Sequence, residues 1–84
     1  LALYWGGNSK YASKDYAGAI SQLQSLMKKY PDHPRVPAAM VTLGNSQLES
    51  GNKAAAKKTF SEIIAKYPDT EAAKDAKQLN AAIK

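Results

Sequence analysis

The chain has 84 residues, of which 44% are hydrophobic and 23% are charged, as in an ordinary folded domain rather than a disordered one. It contains no cysteine and one histidine, which excludes disulfides, thiolate zinc sites and most nucleophilic catalysis by Ser–His or Cys–His pairs. The formal net charge of +5 allows an anionic partner without requiring one. We therefore expect no enzymatic activity, no metal site and no cofactor.

The first predicted helix lies at the start of the chain. Its apolar residues follow the i, i+3, i+4, i+7 spacing of one helix face, at Leu3, Tyr4, Gly7, Tyr11 and Ala12. Residues 13–15 interrupt this stripe with Ser-Lys-Asp, and the Asp15 carboxylate is suited to accept a backbone N–H bond as the N-cap of the next helix. We therefore predict a short turn there.

The second and third predicted helices are separated by a proline-rich linker. Pro31 ends the second helix because proline has no N–H and clashes with the preceding turn. Proline is tolerated in a first helical turn, so the third helix should begin between Pro34 and Pro37. The second helix carries a long apolar stripe, formed by Tyr16, Ala19, Ile20, Leu23, Leu26, Met27 and Tyr30.

Two further helices complete the predicted set. Gly51 and Asn52 suit a helix C-terminus and the next N-cap, respectively, so they predict a turn between the third and fourth helices. Apolar stripes mark those two helices at Ala39, Met40, Leu43 and Leu48, and at Ala56, Phe60, Ile63 and Ile64. A fifth helix is predicted over residues 70–83. Its apolar side holds Ala72, Ala73, Ala76, Leu79 and Ile83, and its polar side holds Glu71, Lys74, Asp75, Lys77, Gln78 and Asn80.

The sequence repeats itself at an offset of 37 residues. Residues 30–32 (Tyr-Pro-Asp) recur at 67–69, and residues 7–9 (Gly-Asn-Ser) recur at 44–46. Over positions 2–32, the offset gives 11 identities in 31 pairs, with several further apolar exchanges. Self-similarity at a fixed period is the signature of a repeat architecture, so each unit is predicted to be one helical pair.

The repeat resembles the tetratricopeptide repeat (TPR), a pair of antiparallel helices with small residues at fixed positions. The resemblance is carried by Leu43-Gly44, Gly51, Ala56, Phe60 and Pro68, and by Gly7, Tyr11, Ala19 and Pro31 in the first unit. Gly6 and Lys14 depart from the usual leucine and turn glycine. Gly7, Gly44, Ala19 and Ala56 are expected to be small because the two helices of a repeat cross closely at these positions. The resemblance implies an all-α domain over residues 1–84, a right-handed α-solenoid fragment. Its parts would be repeat one (about 1–33), repeat two (about 34–69) and a capping helix (about 70–83).

Three features suggest one subfamily of TPR proteins. They are the Tyr-Pro-Asp sequence that ends each repeat, the Tyr4-Trp5 pair and the terminal helix with Glu71-Ala72-Ala73-Lys74. Together they are similar to the C-terminal TPR domain of the YbgF (CpoB) family, the Tol–Pal-associated cell-division coordinators of Gram-negative bacteria. That resemblance implies a periplasmic protein contacting TolA and a bifunctional peptidoglycan synthase, with a signal peptide and a coiled coil outside this chain. Outer-membrane assembly lipoproteins of the BamD type carry similar units and are the alternative.

The first helix of each repeat would line a peptide groove opposite its core stripe. By repeat register the groove residues are Tyr4, Asn8 and Tyr11 with Val41, Asn45 and Leu48. In TPR proteins that hold extended peptides, an asparagine at the Asn8 and Asn45 position often clamps the ligand backbone, a task that suits an amide with both donor and acceptor. The alternative is that these asparagines cap or bridge helices. Trp5 is either an interface anchor or packing.

The remaining polar residues do not indicate chemistry. His33 is interpreted as a solvated loop residue, and Glu62 with Lys66 as an exposed i, i+4 helix pair. The lysines of the second helices have no interleaved aromatics and no arginine cluster, so we expect a solvated outer face and no nucleic-acid partner. No apolar run reaches the about 20 residues that span a bilayer, so we expect no direct membrane insertion. Self-association through the end helices is the competing interpretation of a two-repeat domain.

Overall fold

The computed structural model describes residues 2–83, with side chains described for residues 4–83. Within that range the chain forms five α-helices and no strand, which confirms the predicted all-α class. The helices are α1 (Ala2–Ala12), α2 (Tyr16–Lys29), α3 (Val36–Glu49), α4 (Lys53–Lys66) and α5 (Glu71–Ala82). The side chain of Leu3, predicted to lie in the core, is outside the described residues.

Side-chain caps begin three of these helices. The Asp15 carboxylate accepts a hydrogen bond from the Gly18 backbone N at 3.1 Å, and the Asn52 side chain accepts one from the Ala55 backbone N at 3.2 Å. Both predicted caps are therefore confirmed. Thr70 plays the same part for α5, a role that was not predicted from the sequence. Each cap satisfies one of the backbone N–H groups that a helix N-terminus leaves without an intrahelical partner.

Repeat-related residues make the turns inside both helical pairs. Lys14 and Gly51 are 37 residues apart, and both adopt the left-handed backbone region, with φ of 67° and 92°. Glycine adopts that region without steric cost because it has no Cβ, whereas lysine adopts it only at a steric cost. The two helical pairs therefore have equivalent turn geometry but different turn chemistry.

The helices stack in two rows. Each helix packs on the next in sequence, and α1 also contacts α3 as α3 contacts α5. Within the described residues the backbones of α2 and α4 do not come close to each other. A stack whose first helices touch and whose second helices are spread apart is curved toward the first helices. We therefore call α1, α3 and α5 the inner row, and α2 and α4 the outer row.

Two apolar clusters fill the spaces between the helices. The larger one joins α3, α4 and α5, and the smaller one joins α2 and α3 with Tyr4 of α1 packed against it. Phe60, Leu23, Leu26 and Ile63 are completely buried. The predicted apolar side of α5 is buried at Ala72, Ala73, Ala76 and Ile83. That helix therefore closes the larger cluster and leaves Lys74 and Lys77 exposed on its outer side, as expected of a capping helix.

Glycine allows the two helices of each repeat to cross closely. A Cβ on Gly7 would lie 2.6 Å from Leu23 Cγ and Cδ2, closer than packed carbon atoms approach. A Cβ on Gly44 would collide with the ring of Phe60. Ala19 and Ala56, from the same predicted set of small residues, are completely buried. The prediction that close crossing requires these small residues is confirmed.

Some predicted core positions are exposed. Ala12 lies in the last turn of α1 and is exposed, and Tyr30 is 47% exposed at the C-cap of α2. Asn80, placed on the polar side of α5, is half-buried and donates to Ser61 Oγ at 3.5 Å. Helical spacing alone misplaced these residues because packing partners are scarce at helix ends, whereas α4 covers the face of α5 on which Asn80 lies.

Candidate protein-interaction site

The six residues predicted to line a groove all lie on the inner row and are all half-buried. Tyr4 packs against the smaller apolar cluster, while Val41 and Leu48 pack against the larger one. These three side chains therefore form part of the seams between neighbouring inner-row helices as well as part of the surface. The set that shares this inner face is Tyr4, Asn8, Tyr11, Val41, Asn45 and Leu48.

The two asparagines of this face have no structural task among the described residues. Neither side chain makes a hydrogen bond within residues 4–83, and the side-chain caps of those residues are Asp15, Asn52 and Thr70. The Asn8 Oδ1 atom is buried without a hydrogen-bond partner. A buried acceptor without a donor costs free energy, and the packing of the surrounding helices must offset that cost.

Tyr11 lies beside Tyr16 of the next helix, with 5.7 Å between the ring centroids. Burial raises the pKa of Tyr11 above its ordinary value, and the charge of Glu49 and the neighbouring Tyr16 raise it further. The phenol of a tyrosine is protonated at neutral pH even at its ordinary pKa of about 10, so it can donate a hydrogen bond. Tyr11 is thus a hydrogen-bond donor at the same face as Asn8.

Trp5 is exposed over 58% of its surface, so it is not a buried packing residue. It makes an edge contact with Tyr4, with 5.0 Å between the ring centroids. The Arg35 guanidinium lies 5.2 Å from the Tyr4 ring and 5.3 Å from the Trp5 ring, within the range of a cation–π contact. Tryptophan, tyrosine and arginine are the residue types enriched among binding hot spots.

Arg35 is the member of this cluster that sequence reasoning missed. It precedes α3, thirty residues along the chain from Trp5, and no local pattern joins the two positions. The contact arises because α1 and α3 lie side by side in the inner row. Only a model of the repeat stack in three dimensions would have placed the guanidinium over the two rings.

His33 contributes to the start of α3 rather than to a reactive site. Its Nδ1 accepts a hydrogen bond from the Arg35 backbone N at 3.1 Å, and the residue is half-buried. The interpretation of His33 as a simply solvated loop residue was therefore incomplete. Among residues 2–83 there is no group of three or more His, Cys, Asp and Glu side chains that could hold a metal ion.

The predicted pair of Glu62 and Lys66 is not an ion pair. Ion pairs between described residues join Lys10 with Asp15 at 3.6 Å and Lys74 with Glu71 at 3.9 Å. Glu62 is half-buried instead, beside a cleft between the outer-row helices. Tertiary packing turns it toward that cleft, which the i, i+4 rule for an isolated helix does not consider.

Comparisons with known proteins agree with this geometry. A family model described as tetratricopeptide repeat matches residues 10–79, which covers both outer-row helices and most of α5. A search of curated proteins finds no match. None of the helices within the described residues combines the length and apolarity needed to cross a bilayer.

Proposed function

Because this chain belongs to the tetratricopeptide-repeat family, whose repeats generally mediate protein–protein interaction, we propose that it is a non-enzymatic module that binds an extended segment of a partner protein. The observation that supports this function best is the pair of repeat-related asparagines on the inner row. Asn8 and Asn45 have no hydrogen-bonding task among the described residues, and Asn8 Oδ1 is a buried acceptor without a donor. Both residues are half-buried, so the part of each amide that remains accessible could bond to the backbone of a bound segment.

The neighbouring side chains suit the same task. Tyr4, Val41 and Leu48 offer half-buried apolar surface to alternate side chains of a bound segment, and Tyr11 offers a phenol that stays protonated. Trp5 with Arg35 would anchor one end of the segment, since both are exposed and already ordered against Tyr4. Ordering before binding lowers the entropic cost of association.

We also propose the cellular setting that the sequence resemblance implies. The Tyr-Pro-Asp closings and the Tyr4-Trp5 pair are similar to the YbgF (CpoB) family, so the module would act in the periplasm. There it would contact TolA and a bifunctional peptidoglycan synthase, and would couple outer-membrane constriction to septal wall synthesis during division. No observation on the inner row conflicts with this setting.

The test is a binding experiment with TolA and the periplasmic part of the synthase. Asn8→Ala with Asn45→Ala should weaken binding by about tenfold or more, since each lost hydrogen bond to a buried amide is worth about 1 kcal/mol. Asn80→Ala is the matched control, because Asn80 Oδ1 is also buried without a partner but its side chain contacts α4. Unchanged binding by the folded double variant overturns the groove assignment. Failure of the unaltered chain to bind either protein overturns the Tol–Pal setting.

A second candidate function is self-assembly, as in a BamD-like scaffold or another TPR assembly. It is favoured by the surface of α1 at the end of the stack. Ser9 is exposed on this helix, although the repeat-related Ser46 of α3 is completely buried. A further helix or a second copy packed there would bury Ser9 in the same way. Sedimentation at several concentrations separates the two functions: a strict monomer counts against self-assembly.

A further inference from the structure

The outer row carries a feature that the inner-row function does not use, a cleft between α2 and α4. The backbones of the two helices are spread apart there, and α3 forms the floor with Met40 and Leu43. The cleft has a volume of about 260 Å³ and is continued by a second hollow of about 100 Å³. Met27, Met40 and Glu62 line both hollows, so they form one continuous depression.

The floor of this cleft suits an apolar side chain of a partner. Met27 and Met40 are unbranched and polarizable, and methionine is common at surfaces that adapt to varied ligands. Two polar side chains beside them are Gln47, whose Oε1 accepts a hydrogen bond from Thr59 Oγ1 at 2.6 Å, and Glu62, which contributes one negative charge to the cleft. The main hollow is smaller than the about 300–1,000 Å³ of typical small-molecule pockets, which favours an anchoring side chain over a cofactor.

The charge around the cleft indicates the chemistry of the partner segment beyond its apolar anchor. The two outer-row helices carry six lysines and one glutamate, a formal charge of +5 that equals the net charge of the whole chain. The remaining residues carry six basic and six acidic groups, so they sum to zero. All six outer-row lysines are exposed, and Lys58 and Lys66 border the cleft. They are Lys28, Lys29, Lys53, Lys57, Lys58 and Lys66.

These lysines also have no carboxylate partner among the described residues. Neither of the ion pairs formed between described residues includes a lysine from α2 or α4. Clustered like charges repel one another, and an acidic partner would relieve that repulsion while being attracted over a Debye length of about 8–10 Å. Glu62 is the one carboxylate among the residues that line the cleft, and Lys58 and Lys66 outnumber it. A methionine-rich floor bordered by a net positive charge matches an amphipathic segment with carboxylates beside an apolar anchor.

We propose that the cleft between α2 and α4 is a second docking site, which binds an acidic amphipathic segment of a partner protein. The segment would insert one large apolar side chain over Met27 and Met40. Its carboxylates would pair with Lys58 and Lys66 at the borders of the cleft. The site lies on the opposite row of helices from the groove of Asn8 and Asn45, so the two sites can be occupied together.

The probe for this proposal is a synthetic acetylated peptide of glutamate in which leucine recurs every third or fourth position. Lys58→Glu with Lys66→Glu should weaken its binding by about tenfold, since two attractive pairs become repulsive. Lys74→Glu with Lys77→Glu is the matched control, because it changes the net charge equally on α5 and should change the affinity less than about twofold. Amide and methyl NMR shifts should map to Met27, Met40 and their neighbours.

Further measurements distinguish binding at this site from non-specific attraction between opposite charges. Met27→Ala should weaken binding by a few fold without unfolding the half-buried position, and Asn8→Ala with Asn45→Ala should leave it unchanged. Equal weakening by the two charge-reversed variants overturns the proposal, as does an NMR map on the inner row. A single-stranded oligonucleotide or an anionic phospholipid vesicle that binds the cleft more tightly than the peptide also overturns it. The inner-row function survives each of these outcomes.

Discussion

The two repeats have similar sequences, but they differ in how completely their equivalent residues are buried. Ser46 is completely buried in α3, whereas Ser9 at the same repeat position in α1 is exposed. The position of Gln47, which bonds to the buried Thr59, is occupied in the first repeat by Lys10, which pairs with Asp15 near the surface. The difference follows from location: α3 has helices on several sides, while α1 contacts only α2 and α3 within the described residues.

The comparison shows that a repeat sequence defines a helical pair, and that the neighbouring pair decides how much of it becomes core. Nearest-neighbour contacts supply much of the stability of a solenoid, so the middle of the stack should be the most sensitive part. Three sets of substitutions test this. Two sets compare equivalent positions of the two repeats, and the third changes a residue of the second repeat that acts on the first.

The largest expected effect is at the glycines where the two helices of each pair cross. Gly44→Ala places a methyl group against the completely buried ring of Phe60 and should destabilise the domain by about 1–3 kcal/mol, the usual cost of overpacking. Gly7→Ala should cost less, because α1 contacts only α2 and α3 among the described helices and can shift to relieve the contact with Leu23. Urea unfolding of both variants measures the difference. An equal or greater loss for Gly7→Ala would contradict the ranking.

A smaller effect is expected at the two turns. Lys14→Gly should stabilise the domain by about 0.5–1 kcal/mol, because it removes a Cβ from a left-handed backbone position. Gly51→Ala should destabilise it by about 1 kcal/mol for the same reason in reverse. Lys14→Ala is the control: it removes the charge but keeps the strain, so it should not match Lys14→Gly. Thermal unfolding midpoints of the three variants decide the point.

The smallest expected effect is electrostatic, and it acts between Glu49 of the second repeat and Tyr11 of the first. Glu49→Gln should lower the pKa of Tyr11 toward its ordinary value, while burial keeps it above that value. In the folded state the raised pKa favours the protonated phenol. Its contribution to stability is therefore complete below the unfolded pKa of about 10 and is lost as pH rises through the folded value.

An NMR titration of the Tyr11 ring measures this pKa directly. The variant should also lose stability less steeply than the unaltered chain above about pH 10. Glu71→Gln, a change in a remote carboxylate on α5, serves as the control and should leave the titration of Tyr11 unchanged. An unaltered Tyr11 titration in Glu49→Gln would show that Glu49 does not influence this tyrosine.

Local features of the chain were predictable because their causes are local. Asp15 and Asn52 cap helices through backbone groups three residues away, and Pro31 and Pro68 follow helix ends directly. Apolar spacing predicted the buried stripes of α2 to α5, and the repeat offset predicted Gly7 and Gly44 as crossing points. Helical spacing and the repeat register also placed the six proposed groove residues on one side of α1 and α3, where they are half-buried; that they bind a partner stays a prediction.

The features that were missed depend on which helices become neighbours. Arg35 lies over Tyr4 and Trp5 because α1 and α3 are adjacent, and Thr59 bonds to Gln47 because α4 packs on α3. The α2–α4 cleft exists because these two helices both pack on α3 while their backbones stay apart within the described residues. Sequence periodicity describes the faces of a single helix, so it does not predict the distance between two separate helices.

The sequence by itself determined the helices, their caps and turns, the repeat and the family fold, since each follows from hydrogen bonding and apolar spacing within about ten residues. It also determined the net charge of +5. Only the tertiary structure decided where that charge acts: the curved stack brings the lysines of α2 and α4 to one outer row and leaves an apolar cleft between them. The physical reason is that curvature closes the inner row and opens the outer one, and curvature is a property of packed helix pairs rather than of any single segment.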